Sequence, residues 1–138
     1  MSFRADLTID DRTYRVLSCT HTLLTPVDPA SGLPTGRTRG GIVTIEIEST
    51  DDIFLWVKIA NVVEGAKTVF SGAVVFRKVE EDVRMRTLKF NDAMVVEHTE
   101  TYNAADKTPM TIKFSLTARE LIMEGTSEMG AWPREWPK

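Results

Sequence analysis

Two histidines, His21 and His98, and one cysteine, Cys19, are the side chains best suited to nucleophilic or metal chemistry in this sequence of 138 residues. A thiol beside an imidazole can act as nucleophile and base, and the same atoms can hold zinc. Neither pattern has its spacing here. Cys19 and His21 follow one apolar phase with Leu17 and Leu23, while His98 lies on a distant segment. Carboxylates offer two further possibilities. Glu80, Glu81 and Asp82 could attract a cation, but they lack the staggered oxygens and glycine of a calcium loop, so a solvated turn is the plainer reading. Glu97, Glu100 and Asp106 could supply an acid and a base, provided that the fold set two of them across a cleft. No catalytic, cofactor-binding or metal-ligating residue is assigned on these grounds, and the chain is read as non-enzymatic.

The elements that would position these side chains are mostly strands. Phe3 to Asp10 alternates apolar and polar residues, the period of a half-buried strand, and Asp10-Asp11 reads as a hairpin turn. The next segment runs inward at Tyr14 and Val16 and then slips by one residue to Leu17, Cys19 and Leu23, which predicts a β-bulge. Pro26, Asp28, Pro29, Ser31, Gly32, Pro34 and Gly36 interrupt pairing and predict a loop over Pro26 to Arg39. Gly40 and Gly41 lead into a strand with Val43, Ile45 and Ile47 inward. Further strands are expected over Thr68 to Lys78, Arg84 to Asn91 and Met94 to Tyr102, joined as hairpins. The last clear strand is Met110 to Ala118.

One helix is expected over residues 51–64. Ser49, Thr50, Asp51 and Asp52 suit its N-terminus and Gly65 its end. Its apolar residues cover most of the circumference, so it needs burial on more than one side; a strand over Ile53 to Ile59 is the alternative. The whole predicts a mainly β protein, one closed or nearly closed β-barrel domain over residues 1–138 with a helix at its side.

Composition sets the outer limits. With 42% hydrophobic and 27% charged residues the chain can build one real core. A net charge of −3 supplies no basic field for nucleic acid or an anionic membrane. No run approaches the ~20 apolar residues of a transmembrane helix. Arg4 and Asp6 interrupt the opening residues, so no cleavable secretory signal is expected, and the chain should begin its life in the cytoplasm.

Several elements together resemble the tube protein of the bacterial type VI secretion system, the haemolysin-coregulated protein family, in the branch that begins Met-Ser-Phe. They are the opening Met1 to Asp10, Tyr14 to Cys19, Thr38 to Gly41 leading into Glu48 to Thr50, Leu88 to Phe90, Pro109 to Thr111 and the closing Glu135 to Pro137. They occur in order across nearly the whole chain. The resemblance implies a barrel with one helix, assembled with copies of itself into hexameric rings that stack as a hollow tube. It further implies as partners a contractile sheath, a spike protein and secreted effector proteins carried in the lumen, with export that needs no signal peptide. A contractile phage-like tail tube and a stand-alone β-barrel binding module are the alternatives.

On that resemblance the loop 26–39 becomes the candidate for contact between rings, with Asp28, Arg37, Arg39, Gly40 and Gly41 as its residues. The helix residues Phe54, Trp56 and Ile59 become candidates for a lateral subunit contact, with burial in the subunit's own core the competing assignment. The tail 126–138 carries Trp132 and Trp136, two aromatics expected to dock on the barrel or on a neighbouring subunit.

Overall fold

The two-residue period of the central strand is fully realised: Val43, Ile45 and Ile47 are all completely buried. Burying such a side chain stabilises by ~1.5–3 kcal/mol, so this face alone directs the strand into a core. The computed structural model describes residues 3–36, 39–51, 53–60, 69–79, 83–105, 107, 110–125 and 129–133. In chain order the elements are β1 (Phe3–Ile9), β2 (Arg12–Leu24), β3 (Arg39–Glu48), α1 (Phe54–Ala60), β4 (Phe70–Lys78), β5 (Val83–Tyr102), β6 (Met110–Glu124) and β7 (Met129–Pro133).

The sheet runs β3-β2-β1-β4-β5-β6-β7, and β3 pairs back onto β6, which closes six strands into a barrel. The closing seam runs from Ile42 opposite Thr117 to Glu48 opposite Thr111. Inside, Leu7, Ile9, Val74, Leu88, Phe90, Val95, Phe114 and Leu116 join the β3 residues in one apolar cluster. Closure removes most sheet edges. Gly72 makes the packing possible, because a Cβ there would lie 2.6 Å from the Thr8 carbonyl oxygen and 2.9 Å from the Phe90 ring.

Asp10 and Asp11 form the expected turn between β1 and β2, with Asp10 at φ 53°, a conformation that Asp tolerates better than most residues. The predicted bulge in β2 is present: the β2–β3 register skips Leu17, between Val16 and Ser18. A second skip lies between Thr22 and Leu23, opposite Gly41 at φ 80°. The inward phase proposed for β2 holds only in part. Cys19 is half-buried, but Leu17, His21 and Leu23 are exposed. Among the described residues this strand has left β1 beyond Val16 and pairs with β3 alone.

Two expectations about strand length are corrected. Arg84–Asn91 and Met94–Tyr102 are not a hairpin; they belong to the single 20-residue strand β5. Asn91 and Asp92 bend this strand instead of reversing it, because β6 pairs with it on both sides of them, from Thr87 to Tyr102, with a register shift between Val95 and Glu97. Asp92 takes φ 51° and its N–H donates to Ser71 Oγ at 3.2 Å. Likewise β6 does not stop at Ala118. It leaves β3 after Thr117 and takes up β7 from Glu120, so residues of mixed burial can still be strand.

Candidate assembly surfaces

The loop after β2 is built by its own backbone. Asp28 N–H donates to Leu33 O at 2.8 Å, Gly32 N–H to Asp28 O at 2.8 Å and Thr35 N–H to Pro26 O at 2.9 Å. Val27 and Pro34 form an antiparallel bridge across it. The Asp28 carboxylate accepts the Ala30 N–H at 3.1 Å and the Ser31 hydroxyl at 2.8 Å. Those hydrogen bonds, the Ala30 one first, favour the charged form and hold the Asp28 carboxyl below the usual range. Gly32 turns the tip at φ 75°, where a side chain would be strained even though the space is open. The loop is therefore a pre-shaped hairpin that holds Val27, 55% exposed, and Leu33, 65% exposed, in solvent.

The helix occupies the other end of β3. That strand's 10 residues, at ~3.3 Å each, set loop and helix about 30 Å apart. α1 is held by aromatic packing. Phe54 meets Phe70 edge-on at 5.6 Å, Phe70 meets Phe90 at 5.9 Å, and the Arg12 guanidinium covers Phe54 at 4.5 Å. Such edge contacts add ~0.5–1.5 kcal/mol beyond burial. Leu55 is buried, whereas Trp56 is 57% and Ile53 67% exposed. Between α1 and β5 lies a shallow cleft of about 70 Å³ walled by Tyr14, Ile53, Trp56, His98 and Glu100. Ser49 Oγ donates to Glu100 Oε1 at 3.3 Å. Asp10 and Asp51 are exposed, Asp11 lies 3.9 Å from Arg12, and Glu48 pairs with Arg15 at 3.3 Å.

The side chains suited to chemistry are kept apart. Cys19 pairs with Ile45, Ile45 with Phe114, and Phe114 with His98, so the cysteine and that histidine stand three strand spacings of ~4.8 Å from each other along the sheet. Burial pushes the Cys19 thiol up to about 11, leaving little thiolate at neutral pH. His21 is exposed on the free half of β2. Glu97 and Glu100 take opposite faces of β5, since Glu97 pairs with outward Ser115 and Glu100 with inward Ile112. Asp106 and the Glu80–Asp82 group lie outside the described residues. Among the described residues no three His, Cys, Asp or Glu side chains gather as a metal site, and no helix is long and apolar enough to cross a membrane.

Of the residues expected at the loop, Asp28 shapes it, Gly40 and Arg39 pair with Leu23 and Leu24, and Gly41 is buried at the second bulge. Arg37 lies outside the described residues. On the helix, Phe54 packs against the subunit's own core and Trp56 faces solvent; Ile59 falls within α1. Trp132 sits on β7 opposite Leu121, while Trp136 and the second half of the expected helix, 61–64, lie outside the described residues. Sequence reasoning missed Val27, Leu33 and Ile53. Apolar residues flanking the Pro29-Ala30-Ser31-Gly32 turn were the available signal for the first two. Two strand edges also escaped it: among the described residues Ser18–Leu24 pairs only with β3, and β5 beyond Ala93 pairs only with β6.

Comparison with known proteins gives this geometry a family. A family profile described as hemolysin coregulated protein Hcp (TssD) matches residues 1–133. The chain is 30% identical to Hcp1 from Flavobacterium johnsoniae, with a TM-score of 0.82 over 95% of this chain and 99% of that one. Hcp1 from Salmonella typhimurium shares the fold at 12% identity, with a TM-score of 0.69 over 96% and 95% of the two chains. A chain in the six-fold symmetrised baseplate of the anti-feeding prophage shares it at 13% identity, with a TM-score of 0.55 over 91% and 94%. No curated protein matches. The chain thus belongs to the Hcp (TssD) family, the tube proteins of the type VI secretion system.

Proposed function

We infer that this chain assembles into hexameric rings, that the rings stack into a hollow tube, and that contraction of a surrounding sheath expels the tube behind its spike. Effector proteins of suitable size ride in the lumen. Assembly takes place in the bacterial cytoplasm, and export follows the type VI route without a cleaved signal. The subunit acts as wall and conduit and performs no catalysis.

One observation carries the reading. Among the described residues the barrel buries one apolar cluster, yet it leaves two strand edges and apolar side chains at both ends uncovered. Unpaired edges on a soluble protein invite pairing with another chain. Family membership says which chain, and the six-fold symmetrised assembly that holds a protein of the same fold supports the ring order. Weak contacts repeated around a ring gain avidity, because once one forms the others meet at high effective concentration.

Negative-stain imaging and mass measurement of the purified protein test this. Rings with an open centre, each holding six chains of 15.5 kDa, are expected. A protein that stays monomeric at high concentration would sink the tube reading and leave the barrel-module alternative.

A further inference from the structure

Along β5 the inward positions run from Val95, fully buried, to half-buried His98 opposite Phe114 and exposed Glu100 opposite Ile112. Both partners on β6 are buried, so an imidazole and a carboxylate stand at positions that the rest of this face fills with hydrocarbon. They open onto the cleft beside α1, where Tyr14, Leu55 and Ile112 form an apolar floor and the Trp56 indole one wall. Mouths of β-barrels are recurrent sites for small ligands. The cleft of about 70 Å³ holds a headgroup of a few heavy atoms and a short stem, since one water takes about 10–15 Å³ of such space.

The charge in this cleft is negative and oriented. Ser49 Oγ donates to Glu100 Oε1 at 3.3 Å, which fixes the carboxylate and leaves Oε2 for another donor. Among the described residues no lysine or arginine pairs with Glu100. Arg12 is engaged elsewhere, over the Phe54 ring and beside Asp11. A carboxylate and an indole above buried hydrocarbon suit one class of ligand. Its cationic head meets the carboxylate and the ring, and its alkyl stem displaces water from the floor. An anion would meet Glu100 with like charge, and a neutral molecule would leave the carboxylate unused.

We propose that this cleft binds a small organic cation, a guanidinium or ammonium group on a short alkyl stem, with Glu100 holding the head, Trp56 covering it and Leu55 and Ile112 receiving the stem. The planar guanidinium is preferred, because it offers paired N–H donors and stacks on the indole. The site belongs to the single subunit and does not depend on the tube reading: a protein that formed no rings would carry it unchanged.

The two histidines report on it. His98 lines the cleft and His21 is exposed on the free half of β2, so their imidazole resonances give a probe and a control. n-Butylguanidinium, n-butylammonium and neutral n-butylurea are titrated into the full-length protein at fixed pH and ionic strength, with His98→Gln assigning the signals. A saturable shift of His98 with His21 unmoved is expected for both cations, n-butylurea binding at least about tenfold more weakly. Glu100→Gln keeps an oxygen for Ser49 and is expected to weaken n-butylguanidinium about fivefold while leaving n-butylurea unaffected. Trp56→Leu is expected to weaken it about threefold. N-acetylarginine methylamide separates the sources: affinity equal to that of n-butylguanidinium assigns the site to an arginine side chain of another polypeptide, a weaker one to a free cation, and either upholds it. Absence of a saturable shift, equal affinity for n-butylurea, or binding unchanged in Glu100→Gln would overturn the site.

Discussion

The loop end and the helix end of the barrel are ordered by different physics. The hairpin at Val27–Pro34 is held by contacts between near neighbours: an Asx-type turn at Asp28, a glycine at φ 75° and a bridge a few residues apart. The helix at Phe54–Ala60 is too short to be stable alone and has no acidic residue in its first turn. Its order comes from Phe54 and Leu55 against Phe70 and the core. A locally built element keeps its shape when the core is perturbed. One whose order comes from the core fails with it.

Removing the aromatic seat should therefore break the contrast most sharply. Phe70 is buried between Phe54 and Phe90, and Phe70→Ala is expected to cost ~3–5 kcal/mol. Thermal unfolding monitored by circular dichroism would show the loss. Hydrogen exchange should show the α1 amides opening first, while the Asp28 and Gly32 amides stay protected until global unfolding. Early exposure of the loop amides would mean that the two ends are coupled.

The converse change is smaller. Gly32→Ala places a side chain at φ 75° with no steric neighbour, so the strain is that of the left-handed backbone alone, ~1–2 kcal/mol. The expected result is faster exchange at Asp28 and Thr35, shorter stacks and a melting temperature changed far less than by Phe70→Ala. An equal loss of melting temperature in both variants would erase the distinction.

Acid should produce the least effect. Asp28 has a folded-state pKa below its ordinary value, so its contribution is present at neutral pH and is lost as pH falls from ~3.9 through the lowered value. Asp28 is half-exposed on a surface loop, and the expected consequence is local. A carbon-detected titration of Asp28, with the Ala30 amide shift following it, would check both direction and extent. A titration at or above the ordinary value would show that these hydrogen bonds do not persist in solution.

The barrel was largely legible because its information is periodic. Val43, Ile45 and Ile47, and Ile112, Phe114 and Leu116, differ from their neighbours at every second residue, and the sheet buries that face. The slip after Val16 was legible for the same reason. Asn91 and Asp92 misled because the same two residues can reverse a strand or merely bend it, and pairing with β6 on both sides of them decided for the bend. The late part of β6 was missed because β7 covers its second edge, where alternation is weak.

The candidate surfaces divide the same way. Alternation, the Asp10-Asp11 turn and the proline- and glycine-rich loop follow from residues a few positions apart, because backbone sterics and side-chain periods act over that range. The pairing of β3 with β6 that closes the barrel is of another kind. Departure of β2 from β1 exposed Leu23, and the seating of Phe54 on Phe70 turned Trp56 outward beside Glu100. Those outcomes belong to the tertiary structure, since they depend on which distant strands pair, and a local period leaves that choice open.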